Sequence, residues 1–261
     1  MELKKVKTLL EDGVAVITLA DPGTLNAAGV DMVAELSAAM ERFAAPDSGA
    51  RCVVLTGEGR GFCSGANLAG RADDPTLEDP GLVLEAVYNP FVSLMRGFPI
   101  PTVAAVNGPA AGIGCSIALC CDLIVAAESA YFLQAFRRIG LVPDGGATYL
   151  LPRFVGKARA MELALLGERL PARAALEWGL INRCTPDAEL MATAHGLARA
   201  LADGPKGLAH IRKLVWDGLD AAWAEQLHAE RTAQRQAGLT EDFREGVTAF
   251  IEKRPAKFKG R

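Results

Sequence analysis

The sequence predicts a fold of the α/β class, and two patterns support this class. Four short runs rich in β-branched residues, at 14–19, 52–56, 102–106 and 123–126, are typical of buried strands, and each leads into a turn and usually a helical pattern. The helical patterns cover 29–43, 82–98, a short stretch opening near Gly114, and 156–166. Beyond Leu170 the chain is almost wholly helical, apart from a possible strand at 181–184. With 261 residues and 50% hydrophobic content, the chain can form one large domain or a core domain with an appendage.

Composition and charge exclude several classes of function. Basic and acidic residues are interspersed and the formal net charge is -3, so no field would attract nucleic acid or an anionic membrane. No apolar run reaches the roughly 20 residues of a membrane span without a charge or a break. The six cysteines lack metal-site spacing, and the N-terminus alternates like a strand instead of resembling a signal peptide. We therefore expect a cytoplasmic protein with free thiols and no metal site, whose partners are small molecules or further copies of the chain.

The helical C-terminal part contains amphipathic patterns. Two sets of apolar residues recur at helical spacing: Leu219, Trp223 and Leu227, and then Phe243, Val247, Phe250 and Ile251. The second set follows Thr240, which is a plausible N-cap because Glu241 and Asp242 come next. These faces either pack on the chain's own core or bury apolar surface against other subunits.

Two glycine-rich turns are candidates for binding an anion. The first, TGEGRGFCSGANL at 56–68, follows a predicted strand but lacks the third glycine of a dinucleotide-binding loop. The second, NGPAAGIGCS at 107–116, precedes a helix of small residues. Small residues let a ligand approach the backbone, and free N–H groups at a helix start carry partial positive charge. Either turn could therefore stabilise a developing negative charge.

One acid, Asp144, lies in the apolar stretch IGLVPDGGATYLLPR. Desolvation by neighbours such as Phe136, Leu141 and Val142 would raise its pKa, which suits a group that takes and returns protons. The alternative is that Asp144 caps the helix that begins at 145–147. No phosphate-loop, His-Glu-x-x-His or Gly-x-Ser-x-Gly motif occurs, and the three histidines all fall in the C-terminal helices, which argues against metal hydrolysis and a Ser-His-Asp mechanism.

Three segments together, GRGFCSGANL, AAVNGPAAGIGCSIALCCDLIVAAESAYF and QAFRRIGLVPDGGATYLLPR, resemble the enoyl-CoA hydratase/isomerase (crotonase) superfamily. The resemblance covers essentially the whole chain. It implies a crotonase-type spiral of strand-strand-helix units at 1–200 that carries an acyl-CoA site, and a helical C-terminal oligomerisation region at 201–261. It also implies assembly into a homotrimer or a hexamer of two trimers. The partner is then an acyl-CoA thioester, and no separate cofactor is needed because coenzyme A is part of the substrate.

The same resemblance assigns roles to particular residues. The backbone N–H groups of Ala66 and Ile113 would form an oxyanion hole for a thioester enolate. Asn67 and Leu68 would lie beside the CoA adenine, with Gly112 also in the binding site. Coenzyme A phosphates would be contacted by Lys253 or Lys257, because the usual basic residue of the first-strand turn is replaced by Asp21.

Departures from the family pattern point to the reaction. The two glutamates with which hydratases activate water are matched here by Ser116 and Phe136, neither of which can act as a base. Asp144 matches the single acid of isomerases, so the resemblance implies an acyl-CoA isomerase that shifts a βγ double bond to αβ or opens a ring-epoxide. Phe136 is then either a wall that excludes water or plain core packing, and Ser116 could still orient a water.

Several segments look most like the ring-epoxide isomerases of phenylacetyl-CoA degradation. Three alternatives stay open: a weak or promiscuous enoyl-CoA hydratase, a dehalogenase that uses Asp144 as a nucleophile, and a non-catalytic acyl-CoA binding protein. Cys63 and Cys115 flank the two donors, either as packing or as reactive thiols. The acyl preference would depend on a loop predicted at 71–90.

Overall fold

The computed structural model describes residues 3–68 and 79–261, and it contains two β-sheets. In chain order the strands are β1 (Val6–Glu11), β2 (Val14–Leu19), β3 (Cys52–Gly57), β4 (Thr102–Val106), β5 (Pro109–Ala111), β6 (Leu123–Ala127), β7 (Tyr131–Leu133), β8 (Arg169–Pro171) and β9 (Arg183–Thr185). The larger sheet has the order β1-β2-β3-β4-β6-β9, in which β1 is antiparallel to β2 and the other pairs are parallel. The smaller sheet has the order β5-β7-β8.

The helices are α1 (Val30–Ala44), α2 (Pro80–Val83), α3 (Asn89–Arg96), α4 (Ile113–Leu119), α5 (Ala147–Leu166), α6 (Ala172–Glu177), α7 (Leu190–Ala202), α8 (Gly207–Gly218), α9 (Trp223–Gly238) and α10 (Glu241–Ile251). A π-helical turn at Leu84–Tyr88 joins α2 to α3. Among the described residues, no helix has the length and apolar character that crossing a membrane requires.

The central parallel strands form the core because both of their faces are covered. Every residue of β4 is buried, as is all of β3 except its last residue. Such continuous apolar runs are typical of a parallel sheet between layers of helices, which is why these strands could be predicted from β-branched runs alone. The α/β class predicted from the sequence is therefore confirmed.

Several predicted elements differ from the observed ones. The helix predicted at 82–98 is interrupted by the π-helical turn, and α5 begins at Ala147 and includes a kink at Gly156, where the prediction started. The predicted pattern of Leu219, Trp223 and Leu227 is wrong as a single helix face. Leu219 follows α8 as its C-cap, and α9 begins at Trp223 after an extended Ala222, whose N–H donates to the Glu225 side chain.

The C-terminal helices are fixed to the core by a buried arginine on α8. Arg212 donates from Nε to Oδ2 of Asp122 at 2.8 Å, and its other nitrogens donate to the carbonyl oxygens of Met95, Arg96 and Phe98. Its side chain is only 4% exposed, so the charge is satisfied wholly by protein groups. Arg212 thereby connects α8 to the end of α3 and to the start of β6.

The outer faces of α9 and α10 expose large apolar side chains. Thr240 caps α10 as predicted, since its side chain accepts from the N–H of Phe243. The apolar residues of the predicted faces nevertheless lie at the surface: Trp223 is 78% exposed and Phe250 86%. Packing on the chain's own core, one of the two alternatives, does not account for these two residues.

Candidate active site

The two glycine-rich turns lie side by side at one edge of the large sheet. The first follows β3 and the second follows β4, and since these strands are parallel neighbours their carboxyl ends meet at the same edge. The turns are also hydrogen-bonded to each other, because Cys63 donates from its N–H to Pro109 at 3.0 Å and Ala111 donates to Cys63 at 2.9 Å. The sequence prediction of two anion-binding turns thus corresponds to one composite site.

Glycines permit this close approach. A Cβ atom on Gly114 would lie 2.4 Å from the carbonyl oxygen of Cys63, so no side chain fits between the turns at that point. Gly65 and Gly112 face each other, since a Cβ on Gly112 would lie 3.8 Å from the Cα of Gly65. Gly112 has φ +52°, a conformation that L residues rarely adopt. The contact brings Ala66, directly after Gly65, next to Ile113, directly after Gly112.

The N–H groups of Ala66 and Ile113 are available as donors. Ile113 is the first residue of α4, and the first N–H groups of a helix have no intrahelical acceptor. Beside Ala66, the N–H of Ala28 donates to the carbonyl oxygen of Gly65 at 2.7 Å, so this backbone bond does not use the N–H of Ala66. Within residues 3–68 and 79–261, neither N–H donates to a backbone acceptor. The contact between the two turns thus brings together two N–H groups that have no backbone acceptor in the described part of the chain.

Two asparagines that sequence reasoning missed hold the first turn. Asn26 is fully buried and donates from Nδ2 to the carbonyl oxygens of Glu58 and Gly61, and its Oδ1 accepts from the N–H of Asp21. Asn107 donates to the carbonyl oxygens of Gly59 and Gly61. No local pattern could reveal these contacts, since the bonds from Asn26 to the turn span more than 30 residues. Asn26 adopts φ +58°, which asparagine tolerates better than most residues.

Asp144 is placed against the first turn of α4 by its neighbour Gly145. A Cβ on Gly145 would lie 2.3 Å from Cδ1 of Ile113 and 2.8 Å from Cβ of Ser116, so this approach also requires glycine. Ser116 donates from Oγ to the main-chain oxygen of Asp144 at 2.9 Å. The contact between Gly145 and Ile113 therefore joins the residue next to the predicted acid, Asp144, to the predicted oxyanion donor.

The interpretation of Asp144 as a helix cap is wrong. The N-cap of α5 is Gly146, no side chain caps this helix, and only the main-chain oxygen of Asp144 accepts a bond from Ala147. Oδ1 of Asp144 is enclosed and has no hydrogen-bond partner among the described residues. Burial raises the pKa of this carboxyl to about 6.

The predicted source of that burial needs correction. Leu141 and Val142 were expected to desolvate Asp144, but Leu141 is 42% exposed and Val142 is 75% exposed. The enclosure comes instead from the packing of 144–145 onto α4, since Gly145 contacts Ile113 and Ser116 there. The direction of the pKa shift was nevertheless predicted correctly.

Ser116 and Phe136, the residues that match the two hydratase glutamates, contact different parts of the site. Ser116 is fully buried, and its hydroxyl proton is donated to the Asp144 carbonyl, which leaves no proton to orient a water. Phe136 is 7% exposed, and its Cζ lies 3.7 Å from where a Cβ on Gly112 would be. Phe136 thus covers the second turn, and both of its predicted roles, as a wall and as packing, agree with this position.

Cys63 and Cys115 act as packing residues. Both are free and buried, and burial raises the pKa of Cys63 to about 11 and that of Cys115 to about 12. Such thiols are protonated at neutral pH, so they are poor nucleophiles. Beside Ala66, Asn67 is half-buried and lies close to Gly29, whereas Leu68 is 48% exposed.

The lysines predicted to contact the coenzyme A phosphates, Lys253 and Lys257, lie in a segment away from Ala66 and Ile113. The segment that follows α10 is held by Asp242, which accepts from the N–H groups of Lys206, Lys259 and Gly260. Gly260 lies against Arg51, which precedes β3, whereas Ala66 follows the turn at the other end of that strand. Within one chain, Lys253 and Lys257 therefore belong to a segment at the opposite edge of the sheet, and their contact with coenzyme A stays a prediction.

A cavity adjoins the glycines that follow Asp144. Its volume is about 230 Å³, and it is lined by residues of α3 and of the start of α5, including Asn89, Ser93 and Tyr149, together with Gly145 and Gly146. This is smaller than the roughly 300–1,000 Å³ typical of sites for whole drug-sized ligands. The cavity is therefore too small to enclose an entire acyl-CoA. Of the residues expected to set the acyl preference, 71–78 lie outside the described part, and 80–90 form α2, the π-helical turn and the start of α3 instead of a loop.

Comparison with known proteins agrees with this arrangement. The family model described as Enoyl-CoA hydratase/isomerase matches residues 10–261. The chain belongs to the enoyl-CoA hydratase/isomerase family. It is 45% identical to a 1,2-epoxyphenylacetyl-CoA isomerase of Escherichia coli K12 over 255 residues, which cover 97% of each chain. It is 44% identical to a probable enoyl-CoA hydratase of Rhodobacter capsulatus over 263 residues, with both chains fully covered.

Solved structures confirm the predicted crotonase fold for this family member. An enoyl-CoA hydratase subunit of Geobacillus kaustophilus is similar over the full length of both chains, with a TM-score of 0.92 and 35% identity. The chain is thus an enzyme of this family, as its sequence motifs indicate. The family contains both hydratases and isomerases, so the reaction has to be argued from the site.

Proposed function

We propose that this enzyme is an acyl-CoA isomerase that uses Asp144 to move a proton along an unsaturated acyl chain. The observation that carries the proposal is the enclosed Oδ1 of Asp144, which has no hydrogen-bond partner among the described residues and whose neighbour Gly145 packs against Ile113. One carboxylate suffices for an allylic shift, because the group that removes a proton from one carbon can return it to another.

The proposed reaction consists of two proton transfers through a thioester enolate. Asp144 removes a proton from the carbon between the thioester carbonyl and the βγ double bond, and the electron pair moves onto the thioester oxygen. The N–H groups of Ala66 and Ile113 stabilise that oxyanion. Asp144 then delivers the proton to the γ carbon, and the αβ-unsaturated thioester forms without any net gain or loss of atoms. Preorganised donors of this kind are usually the largest catalytic contribution.

Water addition receives less support from the same geometry. A hydratase needs groups that hold and activate water, and the two matching positions here are a buried hydroxyl used by the Asp144 carbonyl and an aromatic ring. A ring-epoxide isomerase has specific support, because the E. coli relative of 45% identity carries that name. We therefore propose that the acyl group is unsaturated or is a ring-epoxide, with coenzyme A as part of the substrate and no separate cofactor.

The assembly is proposed to be a trimer or a pair of trimers. The exposed apolar faces of α9 and α10 in region 201–261 support this proposal, since large exposed apolar patches commonly mark interaction surfaces. The division into a 1–200 core and this C-terminal region likewise remains a proposal.

The decisive experiment mixes the enzyme with a βγ-unsaturated acyl-CoA and follows the ultraviolet absorbance of the conjugated αβ thioester. Asp144→Asn is assayed beside it, with Asp187→Asn as a carboxylate control because Asp187 lies at the surface and accepts from the N–H of Ser129. Conjugation that is lost only in Asp144→Asn supports the proposal. Unchanged turnover in a folded Asp144→Asn variant would remove Asp144 as the base. A hydroxyacyl-CoA product from a conjugated enoyl-CoA would instead favour a hydratase.

A further inference from the structure

The carboxylate of Asp144 is oriented without any hydrogen bond of its own among the described residues. Hydrogen bonds to a carboxylate fix its direction, but they also stabilise its charged form and lower its basicity. Oδ1 of Asp144 has no such partner within the described chain, so the group is held in some other way. Among the described residues, the hydrogen bonds to Asp144 are made to its main-chain oxygen.

Of the two hydrogen bonds to the main-chain oxygen of Asp144, the one from Ser116 comes from the residue more distant in sequence. Its Oγ donates to the carbonyl oxygen of Asp144 at 2.9 Å across 28 positions, and Ser116 itself is fully buried. The same carbonyl accepts from the N–H of Ala147 at 3.0 Å, which ties Asp144 to the start of α5. The Asp144 carbonyl is therefore fixed from two helices.

The helix that carries Ser116 also begins at the oxyanion donor. Ile113 is the first residue of α4, and Ser116 lies one turn later, so the two share a rigid, fully buried segment. Gly145 packs against both residues. A single helical turn thus sets the position of the oxyanion hole and of the main chain that bears Asp144.

From this arrangement we infer that Ser116 is a positioning residue, which fixes the distance between the Asp144 carboxylate and the oxyanion hole by binding the Asp144 carbonyl. The inference rests on the proposed function, because it assigns a task to Asp144. Without the Ser116 bond, the Asp144 carbonyl loses its hydrogen bond to α4, and we expect the carboxylate to shift toward water although Gly145 still packs on α4. Small misplacements of a reacting group lower turnover steeply, by up to about 100-fold for a displacement of about 1 Å.

The test uses Ser116→Ala, with Ser37→Ala as the matched control. Ser37 makes the same kind of bond, from Oγ to the carbonyl of Val33 at 2.8 Å, but it lies within α1. We expect Ser116→Ala to lower kcat about 10- to 100-fold with little change in KM, because binding of the thioester does not use this hydroxyl. Ser116→Cys, which keeps a weaker donor of similar size, is expected to give an intermediate kcat.

A second measurement keeps the inference testable if turnover is absent. Isotope-edited infrared spectra would follow the ionisation of the Asp144 carboxyl, with Asp144→Asn used to identify its band. Release into water should lower its pKa in Ser116→Ala toward the ordinary value of about 3.9 and leave it unchanged in Ser37→Ala. An unreactive wild type would contradict the proposed function, whereas a changed Asp144 pKa would still support the positioning role.

Two results would overturn the inference. One is a kcat in Ser116→Ala equal to that of the wild type, in a variant shown by circular dichroism to be folded. The other is an equal loss in Ser116→Ala and Ser37→Ala, since that would be a general effect on stability. If no variant turns over substrate, an unaltered Asp144 pKa in Ser116→Ala overturns it as well.

Discussion

Asn26 donates from Nδ2 to the carbonyl oxygen of Gly61 at 2.7 Å, and this bond joins the segment before α1 to the turn that bears the Ala66 N–H. The same carbonyl also accepts from Asn107. The first donor turn is therefore held by two side chains that lie outside it. The shape of this turn therefore depends on the side-chain amide groups of Asn26 and Asn107, which donate hydrogen bonds to its carbonyl oxygens.

Asn26→Asp should destabilise the protein and reduce turnover. The aspartate keeps an acceptor for the N–H of Asp21, but it places a carboxylate oxygen against the carbonyl oxygens of Glu58 and Gly61. Losing buried hydrogen bonds in this way lowers the free energy of unfolding by about 1–3 kcal/mol, as measured by denaturant titration. Asn182→Asp is the control, because Asn182 uses its side chain as an acceptor for the N–H of Ile124. Equal stability of the two variants would contradict the bracing role of Asn26.

The rate should depend on the ionisation of Asp144. A base acts only when it is deprotonated, and burial raises the pKa of Asp144 to about 6. We expect kcat/KM, which reports ionisation in the ligand-free enzyme, to fall about tenfold per pH unit below that value and to be level above it. Phosphate monoesters also titrate near pH 6, so the profile should be repeated with a 3′-dephospho-CoA thioester. A limb that disappears with the dephospho substrate would belong to the ligand and not to Asp144.

The same carboxylate should reduce stability at neutral pH. Because the folded pKa is raised above the unfolded one, the folded state holds the proton more tightly, and stability falls as pH rises between about 4 and 6. Asp144→Asn has no such charge, so its Tm should exceed that of the wild type at pH 8, and the difference should shrink below pH 5. Asp187→Asn serves as the opposite case, since the hydrogen bond from Ser129 lowers the pKa of Asp187. A Tm gain in both variants would refute this explanation.

Gly145→Ala should affect both folding and activity. Gly145 has φ +57°, and an added Cβ would lie 2.3 Å from Ile113. Gly140→Ala is a matched control: Gly140 has φ +72°, but a Cβ there would meet nothing within 4 Å. In the control, the free energy of unfolding should fall by only about 1–2 kcal/mol, the cost of placing an alanine in the left-handed conformation. Gly145→Ala should lose more and should also lower kcat, whereas equal effects would show that the contact with α4 is unimportant.

The oligomeric state can be tested at the exposed end of α10. Replacing Phe250, which is 86% exposed, by glutamate should dissociate a trimer if this face is buried between subunits. Light scattering after size-exclusion chromatography reports the mass. Leu9→Glu is the control, since Leu9 is an exposed apolar residue on β1. A wild type that is already a monomer would refute the assembly proposal.

The sequence predicted those features whose causes are local. The β-branched runs of β2 and β4 gave those strands their observed bounds, and the glycine-rich turns could be recognised because close backbone approach requires glycine. The raised pKa of Asp144 was also predictable, although two of the three residues expected to cause it, Leu141 and Val142, are exposed. The three-residue strands of the small sheet were missed because runs of that length carry no periodic signal.

Other features depend on contacts between distant parts of the chain. The bonds from Asn26 to the first turn and from Ser116 to Asp144 join residues 28 to 35 positions apart, so no spacing rule indicates them. Ser116 was identified only as a departure from the hydratase pattern. Its hydrogen bond to a carbonyl becomes apparent only once α4 and the segment 144–145 are packed together.

The buried Arg212 also bears on how the chain could be divided. A fragment ending near residue 200 would expose four acceptors that this one guanidinium satisfies, namely the Asp122 carboxylate and three carbonyl oxygens at and after the end of α3. One wall of the cavity at Gly145 and Gly146 is built from α3. We therefore expect the end of α3, and with it this cavity wall, to depend on the C-terminal helices, and an exchange of these helices between relatives to succeed only where the product keeps both the arginine and its aspartate.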